Sequence, residues 1–325
     1  QNPDMFPSTP GNEVPGAIAY VDPNFKMPQV WRSNVNAEFQ LPYGFMLSVG
    51  AMYTRDIYNV VQKNMNEKAP SGTYNEQPGR VYWTKNNYYD NPKTKTVIQL
   101  TNGDEKGYQY SFNAVLTKKF DFGFTGSFGY TYTMAKDMTA NPGSSAASVW
   151  QNNVAVNSLN DPGVSYSLFS TPHRLIANAS YEVAYANMKT TVSLFYTGYQ
   201  QGRFSYTYSN DMNGDGNYSD LMYVPASKEE MTFVDIKDKQ NNVTYSAVDQ
   251  QEDFWNYVNN VSYLNDQKGQ YVERASSLEP WIHRFDMKIA QDFYAKIGSR
   301  KYGIQVSLDM LNIGNLLNSK WGAYR

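Results

Sequence analysis

The chain has 325 residues, with 28 Lys and Arg against 30 Asp and Glu and a formal charge of −2. That balance gives no electrostatic reason for a nucleic-acid partner or for adsorption to an anionic membrane surface. Cysteine is absent, which excludes disulfides and thiol chemistry, and no stretch approaches the roughly 18 to 20 apolar residues of a transmembrane helix. Tyrosine stands out at 28 residues and aromatics at 15%, yet mean hydropathy is low at −0.61. Amphipathic helical periodicity is almost missing, which points to an all-β chain.

The chain opens on Gln1-Asn2-Pro3-Asp4, without the charged and apolar regions of a signal peptide. The first hairpin runs from 34–40 through Pro42-Tyr43-Gly44 into 45–57. In the next, Tyr108, Tyr110, Phe112, Ala114 and Leu116 alternate with Gln109, Ser111, Asn113, Val115 and Thr117. A short link, 119–123, leads into 124–135, the clearest strand of the chain. Phe124, Phe128, Tyr130, Tyr132 and Met134 share one of its faces with Gly126. Thr125, Ser127, Gly129, Thr131, Thr133 and Ala135 share the other. Period two is what a sheet demands, because successive side chains point to opposite faces. A soluble sandwich alternates too, but an aromatic face opposite a small, uncharged polar one suits lipid and a hydrated lumen better than a filled core.

A third hairpin joins 173–185 to 188–199 at Ala186-Asn187, and 204–208 either prolongs it or begins a new strand. A fourth joins 281–293 to 301–312 through Gly298-Ser299, and 315–325 reads as the start of a loop. The turns near 42, 121, 187 and 298 are short, whereas the segments 65–105, 137–171 and 210–279 are long. Short periplasmic turns against long extracellular loops is the asymmetry of outer-membrane barrels. The expected fold is therefore all-β, a single antiparallel transmembrane β-barrel domain over 1–325, placed in the outer membrane of a Gram-negative bacterium. Strands of about 12 residues exceed the ~9 to 11 that a tilted strand needs to cross the bilayer. About eight to ten strands are expected here, and loops of this length belong to larger barrels, so the chain reads as an internal or C-terminal part of one.

Several segments together resemble the TonB-dependent outer-membrane transporters of the Oar-like group from Bacteroidetes. They are Ser170-Thr171-Pro172-His173-Arg174-Leu175-Ile176, the stretch from Asn210 to Asn217 with Asp220-Leu221-Met222-Tyr223-Val224-Pro225, Pro280-Trp281-Ile282-His283-Arg284-Phe285-Asp286, and the stretch from Leu311 to Asn318. The resemblance covers about residues 30 to 325. It implies a 22-stranded barrel with an N-terminal plug, often preceded by a carboxypeptidase-regulatory-like domain, importing a nutrient ligand with energy relayed by TonB. Neither plug nor TonB box lies in these residues. The implied partners are outer-membrane lipid, TonB through a plug, a surface lipoprotein and an unidentified nutrient. A passive porin or structural barrel is the alternative, and a soluble glycan-binding β-protein the second.

Asp211, Asn213 and Asp215 with Gly216 have the spacing of the first half of a calcium loop. Asn217 would add its carbonyl and Asp220 would replace the glutamate of position 12, where Met222 stands. The expected cofactor is thus a structural calcium; a polar Gly/Asn/Asp turn reads the same residues without it. Arg284, Asp286 and Lys288 share one strand face, which must be lumenal because charges facing lipid are costly. Asp309, on the face of Gln305 and Ser307, is positioned to pair with one of the two cations. Tyr82, Trp83, Tyr88, Tyr89, Trp150 and Trp255, together with Phe254 and Tyr257, place aromatics in the long loops, where they either contact ligand or pack the loops together. His173 and His283 each lie beside an arginine at a strand start, without a second ligand at metal spacing. No hydrolase, metalloprotease or phosphate-loop motif occurs, so no enzymatic activity is expected.

Overall fold

The computed structural model describes residues 16–84, 88–89 and 96–321. Eight long strands form the main sheet: β1 Gln29–Leu41, β2 Phe45–Tyr58, β3 Tyr108–Lys119, β4 Phe124–Asp137, β5 His173–Tyr185, β6 Met188–Gln200, β7 Trp281–Ile297 and β8 Arg300–Met310. They pair in sequence order and always antiparallel. β1 and β8 are the free edges of this sheet among the described residues. Four tight turns close the hairpins at one end. Positive φ angles at Tyr43, Gly44, Gly123, Ala186 and Gly298 let the chain reverse there. At Gly123 (φ 91°) a Cβ would run into the carbonyl oxygen of Glu182 on β5, so only glycine lets this turn lie against the neighbouring strand.

The pairing registers sort the residues into two faces. One carries Val35, Ala51, Phe112, Tyr132 and His173; the other carries Asn36, Gly50, Asn113, Thr131 and Arg174. On the first face Val35 is 72% exposed, Ile304 72% and Phe112 53%. The apolar payload therefore points away from protein, toward what must be lipid if these strands are to be stable. Two aromatic rows bound this face. Phe45, Phe120, Phe122 and Phe124 gather at the turn end, where Lys118 lies 4.6 Å from the Phe45 ring and 4.3 Å from that of Phe120. Tyr53, Tyr110, Tyr132, Tyr196 and Trp281 mark the loop end. From Tyr53 to Phe45 is about nine residues of strand, the length a tilted strand needs to cross the hydrocarbon.

The histidines belong to the upper row. Tyr130 Oη lies 2.7 Å from His173 Nδ1, and Tyr196 Oη lies 2.8 Å from His283 Nδ1. Their rings stack with Trp281, so both serve the interfacial girdle.

The buried core lies elsewhere. Among the buried apolar residues only Ile282 and Ala290 come from the eight strands; the rest lie in the connections at the opposite end from the turns. These connections run over 59–107, 138–172 and 201–280: the first and third are wider than the loops expected from sequence, the second is shifted by one residue, and their described residues are structured. Val61–Asn64 pairs with Thr96–Thr101, which pairs in parallel with Ala17–Val21. Arg203–Phe204 opens a new pairing, with Ser277–Leu278, and does not prolong β6. Helices α1 Ala146–Gln151, α2 Ala247–Asn260 and α3 Ser262–Asp266 complete the layer. The near-absence of helical signal in the sequence overlooked α2, whose start is written in Ser246-x-x-Asp249: the Ser246 hydroxyl caps the Asp249 N–H at 3.1 Å. Past β8, Ile313–Leu316 forms one 3-10 turn.

Candidate functional site

On the lumenal face, β7 and β8 bring together the charges that share a strand face. Arg284 lies 3.2 Å from Asp286, two residues along the same strand, and Lys288 lies 3.3 Å from Asp309 across the pair. Asp286 also accepts the Asn312 N–H at 2.7 Å, tying the end of β8 back to β7. The ladder continues beyond the residues singled out from sequence. Lys189 on β6 bridges Glu182 at 3.2 Å and Asp292 at 3.5 Å, and Gln305 donates to Asp292 at 2.7 Å. Asp292 lies on the Arg284–Lys288 face by simple alternation, so its place was readable; its pairing to Lys189 needed the β6–β7 register.

The second centre lies in the loop layer. The side chain of Asp211 accepts from Gly214 at 2.7 Å and Gly216 at 2.9 Å. Asn213 accepts from Asp215 N–H and Asp215 from Asn217 N–H, both at 2.8 Å. Asp220 accepts from Met212 N–H at 2.9 Å. The five residues proposed for calcium thus come together as one compact turn, stitched by side-chain to backbone bonds. Among the described residues no three acidic or histidine side chains converge closely enough to hold a metal ion. Gly214 (φ 80°) leaves no room for a side chain: a Cβ would collide with the carbonyl oxygen of Trp83, whose N–H donates to Asn213 O at 2.7 Å.

This turn is held by a residue that the sequence reading passed over. Arg80, fully buried, reaches Asp220 at 3.1 Å and the Leu221 carbonyl, with its guanidinium between the rings of Tyr208 and Tyr271 at 5.4 and 5.1 Å. Burial pushes the Asp215 carboxyl up to about 7, with the nearby charges of Asp220, Asp211 and Glu67 adding to the shift and the Asn217 N–H opposing it. Two further buried arginines pin the other connections. Arg274 reaches Asp137 and the Met138 carbonyl, and Arg203 donates to Ser170 at 2.7 Å and to the Ala275 carbonyl at 3.1 Å. Lone arginines in loop sequence carry no spacing signal, and only the packed structure reveals their partners.

The loop aromatics divide. Trp83 (7% exposed) and Trp150 (1%) spend their surface on packing, with indole N–H groups donating to Lys68 O and Asn160 Oδ1. Trp255 packs against the cluster of Leu221, Val224, Val258 and Leu264, with Lys268 over its ring. Tyr82 packs on Tyr74, and Tyr88 reaches toward the Asp215 carbonyl. Of the six, Tyr89 alone is largely exposed, at 65%. Phe254 of α2 and Tyr208, Tyr223 and Phe233 line a cavity of about 500 Å³ between the first and third connections.

A long antiparallel meander with an outward apolar face, two aromatic rows and a polar inner face defines a membrane β-barrel protein. The sequence matches the family described as Outer membrane beta barrel domain over residues 1–320, and the chain belongs to that family. Its site is the outer membrane of a Gram-negative bacterium. No curated protein matches the chain.

Proposed function

We propose that the chain forms part of the barrel of a TonB-dependent receptor that imports a nutrient ligand. The observation that carries this reading is the pairing of a charged lumenal face with a packed layer of long connections. The ladder Glu182, Lys189, Asp292, Arg284, Asp286, Lys288 and Asp309 presents a polar surface suited to contact with a plug, while the loop layer is ordered enough to select a ligand. Among the described residues the outer edges of β1 and β8 are unpaired, and in lipid such backbone groups must be satisfied by barrel closure. The Oar-like sequence segments favour the same assignment over a passive porin, whose lumen stays open.

Two measurements on the full-length protein test it. In planar bilayers a plugged receptor is expected to give no stable open channel, and in cells growth on its nutrient is expected to need TonB. Steady ohmic conductance of the native protein, or uptake unaffected by loss of TonB, would overturn the proposal in favour of a porin.

A further inference from the structure

We propose that the cavity between the first and third extracellular connections is a binding site for a ligand that joins a cation to an apolar body. The charged residues lining it are two, Glu76 and Glu230, and both are acidic. Neither forms an ion pair with a described residue, and Glu230 uses Oε2 to accept the Ala226 N–H at 2.9 Å. The neighbouring cations are committed elsewhere: Arg80 to Asp220 and the Leu221 carbonyl, Lys228 to Glu252. Among the described residues no cation pairs with the two glutamates, which are solvent-exposed, and a cationic group entering the cavity gains a salt-screened attraction from them.

The rest of the wall is aromatic and thioether. Tyr208, Tyr223 and Phe233 offer ring faces, which attract both apolar groups and cations. Met231 and its neighbouring methionines add an adaptable surface that accepts varied apolar shapes. The volume, about 500 Å³, lies within the ~300 to 1,000 Å³ of small-ligand sites. The walls are preformed. Tyr223–Val224 is paired with Gln270–Tyr271, Met222 and Tyr223 are each 9% exposed, and Phe254 is presented by capped helix α2 and packs on Phe233 at 6.1 Å.

This inference deepens the receptor proposal and rests on it only for the use made of the bound ligand. The test is calorimetric binding to the purified full-length protein in lipid nanodiscs, where uptake plays no part. The probes are the amidated tripeptides Phe-Lys-Leu, Phe-Gln-Leu and Phe-Glu-Leu. The Lys peptide is expected to bind at least about tenfold more tightly than the Gln peptide, with the Glu peptide weakest and with added salt narrowing the difference. Glu76→Gln combined with Glu230→Gln is expected to abolish the preference at unchanged melting temperature. Phe233→Ser is expected to weaken all three peptides. Equal binding of Lys and Gln peptides, a preference that survives the double variant, or no binding by any probe would overturn the site. TonB-dependent uptake persisting alongside such a failure would leave the receptor reading intact. Binding without uptake would overturn transport and leave the site standing.

Discussion

Arg80 in the first connection and Asp220 in the third, 140 residues apart in sequence, form an ion pair at 3.1 Å with both side chains almost fully out of solvent. It is the clasp of the loop layer. Removing one partner strands the other as an uncompensated buried charge, a loss of about 3 to 5 kcal/mol. Arg80→Ala is expected to release 59–107 and 201–280 to protease while the strands stay protected. Arg80→Met with Asp220→Leu, which removes both charges at once, is expected to recover most of the lost protection. Limited proteolysis followed by mass spectrometry reads both variants, and an Arg80→Ala protein as resistant as the native one would refute the clasp.

The assignment of faces gives a sharper test. Ala114 and Asn113 are adjacent on β3 but point to opposite sides. Ala114→Arg puts a charge near the bilayer midplane and is expected to cost ~2 to 4 kcal/mol, whereas Asn113→Arg faces the lumen and is expected to change stability by less than ~0.5 kcal/mol. Urea unfolding of the full-length protein in lipid vesicles separates the two, and equal losses would mean that the faces are wrongly assigned.

Gly214 and Gly163 both have positive φ, at 80° and 64°, but a Cβ at Gly163 meets nothing within 4 Å, whereas one at Gly214 collides with Trp83. Gly163→Ala then carries backbone strain alone, on the order of 1 kcal/mol. Gly214→Ala adds the displacement of the Trp83–Asn213 contact. Thermal melts should place Gly214→Ala clearly below Gly163→Ala; the reverse order would show that the two connections do not close on each other there.

The Asp215 carboxyl, held up to about 7, sets a pH dependence. Between its ordinary value of 3.8 and about 7 the folded turn keeps a proton that the unfolded chain has lost. Stability of the turn therefore falls as pH rises through that window, by up to about 1.4 kcal/mol per pH unit, and levels off above it. The protection factors of amides 211–220, each exchange rate divided by the intrinsic rate at the same pH and measured in chelator, are expected to rise from pH 8 to pH 5, and Asp215→Asn to remove that rise. Calcium added at pH 8 probes the cation expectation for the same turn. A bound divalent ion would protect it, whereas unchanged protection would discard the metal.

The alternation of Phe112 with Asn113, or of Tyr130 with Thr131, made the eight strands and their two faces visible in the sequence. Local chain geometry fixes that period, and lipid on one side rewards it without any partner needing to be known. Pro42-Tyr43-Gly44 and Gly298-Ser299 marked the hairpins for the same reason, since a turn is written in the residues that make it. Arg284, Asp286, Lys288 and Asp309 could be grouped because a single hairpin register relates them. Helix α2 escaped notice although Phe254, Trp255 and Val258 form an apolar stripe on it, because it is a 14-residue surface element set within a long polar connection. Trp83 and Trp150 could be placed in the loops but not assigned to packing.

The sequence alone thus determined the membrane-spanning sheet, its orientation of faces and its turns, all of which arise from interactions within a few residues or with the surrounding solvent. The tertiary structure decided everything in the loop layer: that its connections hold nearly all the buried apolar core, that Arg80 meets Asp220, and that Glu76 and Glu230 share one cavity. Those contacts join segments more than a hundred residues apart, and no local pattern encodes which buried charge will find which partner.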